Sequence, residues 1–316
     1  MKVELVTLTP VHIGSGSRIT PFEYLSKDGL FYRVDLEKVL EEKTQQELQV
    51  LNRRGASLRD LERDAHKKHT RYILDAEEAV QGDVREHLQF EETFYIPGSS
   101  LKGAILSSLY YHVLTTAEEK EKDILNCLKR QGNCRDKRKA HEMLQKIVFK
   151  AITDGRDARF TPWLAVTDSN HIYADNLYVS RVWAEGTDRN TAAYYELIKP
   201  ETTLNIEITP QRLKHDISAR LLELTDEFYR LVAERQREQW GVVLPEAEGA
   251  VLIRIGQGSG SLATSLQLTA EELGVAEEYL REWKISRYGG EPKTVKLTMW
   301  QGRRVPLGWC ALRWAR

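Results

Sequence analysis

"TPVHIGSGSR", residues 9–18, sets one histidine, two glycines and two serines directly behind a strand-like run at residues 2–8. Glycine lets backbone N–H groups turn toward a ligand without interference from a Cβ. Serine adds short hydroxyl donors, and His12 adds a group that can act as a base near neutral pH. Two other loops repeat the composition. "PGSSLKG", residues 97–103, precedes a helix, and "GQGSG", residues 256–260, follows the strand-like "AVLIRI". A helix N-terminus contributes unpaired N–H groups and a positive dipole end, which together suit an anion. Lys102, in the first turn of the helix behind the second loop, supplies a formal charge. None of the three is a Walker loop. "GQGSG" also has the spacing G-x-G-x-G and not that of a dinucleotide site. One such loop reads as a tight turn. Three in one chain point to a ligand with several phosphates, as an RNA strand has.

Outward from these loops the chain reads as mixed helix and strand. Residues 2–8 and 30–34 are strand-like, and Asp35 is placed to cap a helix over "LEKVLEEKTQQEL". The highly charged stretch 52–90 reads as a helical insertion. After the strand end "FYI", the breaker "PGSS" starts a helix in which Leu101, Ile105, Leu109 and Val113 share one face, with Ser99 or Ser100 as cap. Two more helices are expected near 118–130 and 138–152. "WLAVTD", "LYVSRV" and "TLNIEIT" read as strands, and in the last Leu204, Ile206 and Ile208 alternate with polar residues. A long helix near 216–238 follows, with Ile217, Leu221, Leu224, Phe228, Leu231 and Val232 on one side. A helix near 270–283 and the runs "TVKLTM" and "WCALRW" complete the pass. The irregular alternation suits two α+β units, 1–160 and 161–316, with helical insertions near 36–90 and 116–152, better than one doubly wound sheet.

The formal net charge is −1, so the whole chain is not a bulk polycation. The charge is uneven, however. Residues 129–150 hold eight Lys/Arg against two Asp/Glu, and residues 281–316 hold nine against two. A phosphate responds to the local field, so a near-neutral total can hide a basic groove. No apolar run reaches membrane-spanning length, and "MKVELVTLTP" has no apolar signal-peptide core. Three cysteines do not make a disulfide framework. The expectation is a chain of the reducing cytoplasm.

"LTPVHIGSG", "YIPGSSLKGAI" and "RIGQGSG" together resemble the RAMP superfamily of CRISPR effector subunits. Within it the chain resembles the fifth Csm subunit of type III-A complexes, through "PFEYLSKDGLFYRVDLEKVL" and "PLGWCAL" as well. The resemblance implies modified ferredoxin-like, RRM-like units with glycine-rich loops. It implies a non-catalytic RNA-binding role: holding the crRNA on its 3′ side, capping the backbone filament, and aiding maturation carried out by other nucleases. The implied partners are crRNA, the neighbouring backbone subunit, other Csm subunits and maturation nucleases, with no membrane and no cofactor. Carried onto this chain, Gly14, Ser15 and Gly16 form one contact, with His12 and Arg18 beside them. Gly98, Ser99, Ser100 and Lys102 form the second, and Gly256, Gly258, Ser259 and Gly260 the third. Such contacts read backbone and shape more than bases.

Other chemistries compete with this. His12 could be the general base of a metal-independent RNA endonuclease, with Lys102 or Arg18 stabilising the developing charge. It could equally bond a backbone group and set the turn. The glycine loops could also meet neighbouring subunits, making the chain a protein-only adaptor. Asp28 sits in the turn signature "SKDGL" and Asp35 in a capping position, so neither is expected to cut RNA. Cys127, Cys134, His112 and His141 are too widely spaced for an ordinary zinc site, and no metal is expected. Cys310 reads as a small buried hydrophobe. Tyr110, Tyr111, Tyr173, Tyr178, Tyr194, Tyr195 and Trp183 could stack on bases, although most are expected in the core. Tyr288, in a basic loop with Arg287, is the better stacking residue.

Overall fold

The computed structural model describes residues 1–53, 55–117, 123–124, 137–154, 163–186, 192–245, 247, 249–277, 279 and 294–315. Its centre is a five-stranded antiparallel sheet in the order β13 (Val251–Arg254), β16 (Trp309–Trp314), β1 (Lys2–Thr7), β12 (Thr203–Pro210), β9 (Leu164–Val166). The part β16–β1–β12–β9 has the strand order and directions of a ferredoxin-like unit. Helix α4 (Gly98–Thr116) lies in sequence between β1 and β9, and α6 (His215–Trp240) follows β12. The β12 alternation read from sequence is observed: Leu204, Ile206 and Ile208 are buried, while Thr203, Asn205, Glu207 and Thr209 are exposed.

Both helices exist because their apolar periods match 3.6 residues. In α4, Leu101, Ile105, Leu109 and Val113 are all buried. In α6, Leu221, Leu224, Phe228 and Val232 are buried, with Ile217 and Leu231 at the margin. Each such side chain contributes roughly 1.5–3 kcal/mol on full burial. Helix α4 packs against α5 (Lys137–Ile152), α6 and β9, and α6 also covers β13. Two polar contacts fix the α4–α6 register: Tyr229 donates to the Ala104 carbonyl at 3.1 Å, and Ser108 meets Thr225 at 3.3 Å. Gly241 ends α6 in a left-handed conformation, its N–H donating to Arg237.

A second sheet runs β2 (Gly14–Ile19), β6 (Val84–His87), β11 (Ala193–Ile198), β10 (Leu177–Glu185), β5 (Thr70–Ala76), β4 (Leu30–Val34), β3 (Tyr24–Lys27). β14 (Val295–Trp300) pairs with β10 and carries β15 (Arg303–Pro306). Both sheets draw strands from either side of residue 160, so each unit is completed by the other half of the sequence.

Three local expectations differ from the structure. Among the described residues, 52–90 hold two short helices, α2 (Leu58–Leu61) and α3 (Ala65–Lys68), followed by β5, β6 and the short β7 (Gln89–Phe90). In β5, Tyr72 and Leu74 are buried while Arg71, Ile73 and Asp75 face outward, so a half-buried strand was concealed by its mostly charged outer face. The α1 helix (Leu36–Glu41) does start at Asp35, whose carboxylate accepts from the Lys38 N–H, but it is shorter than its charged sequence suggested. Finally, α4 is entered through Pro97, not capped by Ser99 or Ser100.

Candidate nucleic-acid interface

The first and third glycine loops are parts of one backbone network. The Gln257 N–H donates to the His12 carbonyl at 2.9 Å, and the Gly308 N–H to the Pro10 carbonyl at 2.9 Å. Ile255 N–H in turn donates to Gly308 at 2.8 Å. Only glycine permits this closeness. A Cβ at Gly256 would stand 2.5 Å from the His12 carbonyl oxygen, and one at Gly308 would stand 2.3 Å from that of Ile255. Both also have positive φ. Arg254 braces the network from below. Its Nε donates to Leu307 at 3.0 Å, its Nη2 to Gly258 at 2.9 Å, and its guanidinium lies 5.1 Å from the Trp309 ring centroid. Burial pushes this guanidinium down to about 9. Ser259 turns inward, its hydroxyl donating to the Gly256 carbonyl at 2.7 Å. Gly258 lies close over Leu307, whereas Gly260 faces open space at the start of α7 (Gly260–Thr264).

His12 is 1% exposed. Its Nδ1–H donates to the Glu196 carbonyl at 2.7 Å, which leaves Nε2 as an acceptor that finds no partner among the described residues. Its ring meets Tyr195 and His87 edge-on, at 4.9 and 5.7 Å. Burial holds the imidazole down at about 4. Its hydrogen bond thus ties the loop to the backbone of β11. His87 is buried likewise and held down at about 3, and the Glu196 carboxyl, accepting from Tyr72 and from the His87 N–H, is pushed up by burial to about 7.

These three groups give the fold a pH dependence of definite sign. Each histidine binds its proton more weakly folded than unfolded, so it contributes stability above the ordinary 6.5 that is lost toward acid. Glu196 binds its proton more tightly folded, so it opposes folding as pH rises from 4.5 to about 7. Between 4.5 and 6.5 the unfolded chain holds two histidine protons against one folded proton on Glu196. Stability therefore falls toward acid by about 1.4 kcal/mol per pH unit from this cluster. A His87→Asn variant, whose amide can still donate to the Leu88 carbonyl, should flatten that slope. Urea midpoints at several pH values across the window check it, and an unchanged slope sinks the account.

The surface beside the network is basic. Residues 14–18 do not form a free loop but the exposed edge strand β2, paired with β6 through an irregularity. Ser15 donates to Glu86 at 2.9 Å, and Arg18 makes a loose, exposed ion pair with Asp83 at 3.5 Å. Directly across from Arg18 stands Arg85. The Arg85 guanidinium lies 5.4 Å over the Tyr195 ring, and its Nε is buried without a partner among the described residues. Lys296 reaches the same ring, with Nζ 5.6 Å from the centroid and 3.4 Å from the hydroxyl. Its Cβ would be 3.5 Å from a Cβ on Gly258. Two cations thus share one aromatic ring between β2 and the third loop, and neither has a carboxylate partner among the described residues.

The second loop behaves differently. Gly98 packs so tightly that a Cβ would stand 2.2 Å from the Val166 carbonyl oxygen. Its N–H donates to the Asp168 carboxylate at 2.8 Å, so that donor at the helix end is already taken by an anion of the chain itself. Ser99 is exposed, Ser100 donates its N–H to Pro97, and Lys102 lies 5.1 Å over the Trp163 ring. Among the described residues no hydrogen bond joins this loop to the other two.

Arg85 and Lys296 were missed in the sequence, because only strand pairing brings positions 18, 85, 195 and 296 together. Tyr195 was named only as one aromatic among many. Arg287, Tyr288, Cys127 and Cys134 lie outside the described residues. Asp28 occupies a hairpin turn with positive φ, as its sequence signature implied. Cys310 is buried, which raises its thiol.

Comparison with known proteins agrees with this architecture. A CRISPR system protein, Csm5, from Methanocaldococcus jannaschii is 23% identical over 195 residues. That match covers 57% of this chain and 45% of the relative, so the chain spans less than half the length of that relative. The fold is similar to a chain in the cryo-EM structure of a Csm–crRNA–target RNA ternary complex of a type III-A CRISPR-Cas system. There the TM-score is 0.73 at 20% identity, covering 99% of this chain and 100% of that one. It is also similar to the crystal structure of T. onnurineus Csm5, with a TM-score of 0.66 at 19% identity, covering 98% and 99%. The profile of the RAMP superfamily matches residues 4–262, and with the ferredoxin-like sheet and its glycine-locked loops this places the chain in the RAMP superfamily.

Proposed function

We propose that this chain is a non-catalytic, RNA-binding subunit of a type III-A Csm complex, capping the crRNA 3′ side of the backbone filament in the cytoplasm and supporting crRNA maturation. The carrying observation is the pair Arg85 and Lys296, held over Tyr195 beside Gly258 and the exposed strand β2. Partners of this reading are crRNA, the neighbouring backbone subunit, other Csm subunits and maturation nucleases. Backbone contacts fall to Gly14, Ser15, Gly16 and Arg18 on β2, and to Gly258 and Gly260 on the third loop. His12, Gly98, Gly256 and Ser259 shape the loops from inside. Ser99, Ser100 and Lys102 offer a second, separate contact. The burial of the His12 Nε2 and its depressed basicity favour this reading over an endonuclease that uses His12 as base.

The test is co-expression of the tagged chain with its genomic neighbours, followed by sequencing of the co-purified RNA for wild type, Lys102→Ala and Arg85→Ala. The expected result is CRISPR-derived RNA with wild type, and reduced yield or altered 3′ ends with the variants. Unchanged RNA in both would favour the protein-only adaptor. Incubated alone with a CRISPR repeat RNA, the purified chain should leave it intact; metal-free cleavage would overturn the non-catalytic assignment.

A further inference from the structure

A second surface lies on the short hairpin formed by β7 (Gln89–Phe90) and β8 (Thr93–Phe94). Phe94 bridges to Ile172 and both are buried, so the alternating residues Thr93, Tyr95, His171 and Tyr173 fall on the outward side. There His171 stacks on Tyr95 at 5.4 Å and 11°, and the Phe90 ring meets His171 edge-on at 6.4 Å. Thr93 also hydrogen-bonds His171 Nδ1, which fixes the stack. Phe90 is 59% exposed and Tyr173 66%. The hairpin tip is Glu91–Glu92, both with positive φ, where Asn and Gly are the usual residues. Glu92 pairs with Arg71 at 3.0 Å, while Glu91 has no ion pair among the described residues.

We propose that this surface receives an arginine-bearing segment of a partner protein. Aromatic faces beside carboxylates are the two elements that recognise a guanidinium: the ring quadrupole attracts the cation and the carboxylate binds its planar fork. The Arg71–Glu92 pair already displays half of that arrangement. An RNA strand fits poorly, because its phosphates would approach two carboxylates, and the unpaired cations Arg85 and Lys296 gather around Tyr195 instead. A purely apolar partner would have to desolvate Glu91.

Fluorescence anisotropy of a short labelled peptide alternating arginine and glycine, titrated with the full chain, tests this. The peptide should bind, and the same peptide with citrulline in place of arginine should bind much more weakly. A Phe90→Ala/Tyr173→Ala variant should weaken the arginine peptide by about tenfold, the scale of losing its ring contacts, while leaving single-stranded RNA affinity unchanged. Both positions are exposed, and circular dichroism checks that the variant folds. No binding of the arginine peptide, or equal binding to the variant, overturns the proposal. Loss of RNA affinity in the variant overturns it too, because it would show the rings stacking on bases.

Discussion

Gly98→Ala is expected to destabilise the chain by on the order of 3–5 kcal/mol, among the largest effects a single methyl can have. The added carbon would stand 2.2 Å from the Val166 oxygen and 2.6 Å from that of Thr167, and both are backbone atoms that no rotamer change can move aside. Relief would require α4 to lift from β9. That would break the Gly98–Asp168 hydrogen bond and strip packing from Leu101 and Ile105, which are fully buried. Urea denaturation of the variant beside Ser99→Ala is the measurement. Ser99 is exposed next door, so its change should stay within about 0.5 kcal/mol. A Gly98→Ala midpoint equal to wild type would show that the helix end is not clamped as described.

Arg85→Ala combined with Lys296→Ala should produce the largest loss of RNA affinity. Each cation that neutralises a phosphate on a single strand contributes about 0.7 to the salt slope, so losing both should lower it by about 1.4. At low salt the affinity should fall by about a hundredfold, and the difference should shrink as salt rises. Arg18→Ala should cost less, because Arg18 is already shared with Asp83 at an exposed position. Tyr195 and His12 stay in place in the double variant, so a folded protein with lost affinity isolates the charges. Equal salt slopes for variant and wild type would falsify the placement of phosphates over Tyr195.

Periodic elements were legible in the sequence. The α4 face, the α6 face, the β12 alternation and the Asp35 cap are local properties, written in residues a few positions apart. The glycine loops were legible as loops but not in what each glycine does. Gly98 and Gly256 are required by close approach of distant backbone, which no neighbour in sequence reports. Lys102 was read as a charge placed for a ligand, and its ring partner Trp163 lies sixty-one positions on. The charged stretch 52–90 hid three strands; β5 buries only Tyr72 and Leu74, and its outward face carries the charged Arg71 and Asp75 around Ile73. The basic runs 129–150 and 281–316 attracted notice through composition. The cations that converge are Arg85, outside both runs, and Lys296, within the second.

The central sheet has a temporal consequence. β1 leaves the ribosome long before β16, yet they are neighbours. Until β12 and β16 are made, β1 has no strand on either side, and Pro10 has no Gly308 to accept from. Such long-range closure makes folding slow, and it can be completed only after β16 is made. Products arrested before residue 300 would present bare strand edges, prone to aggregation. They would also lack the turn at Leu307 and Gly308 that holds the third loop against the first. On the function proposed above, the loop arrangement for a phosphate chain is complete only once β16 is in place.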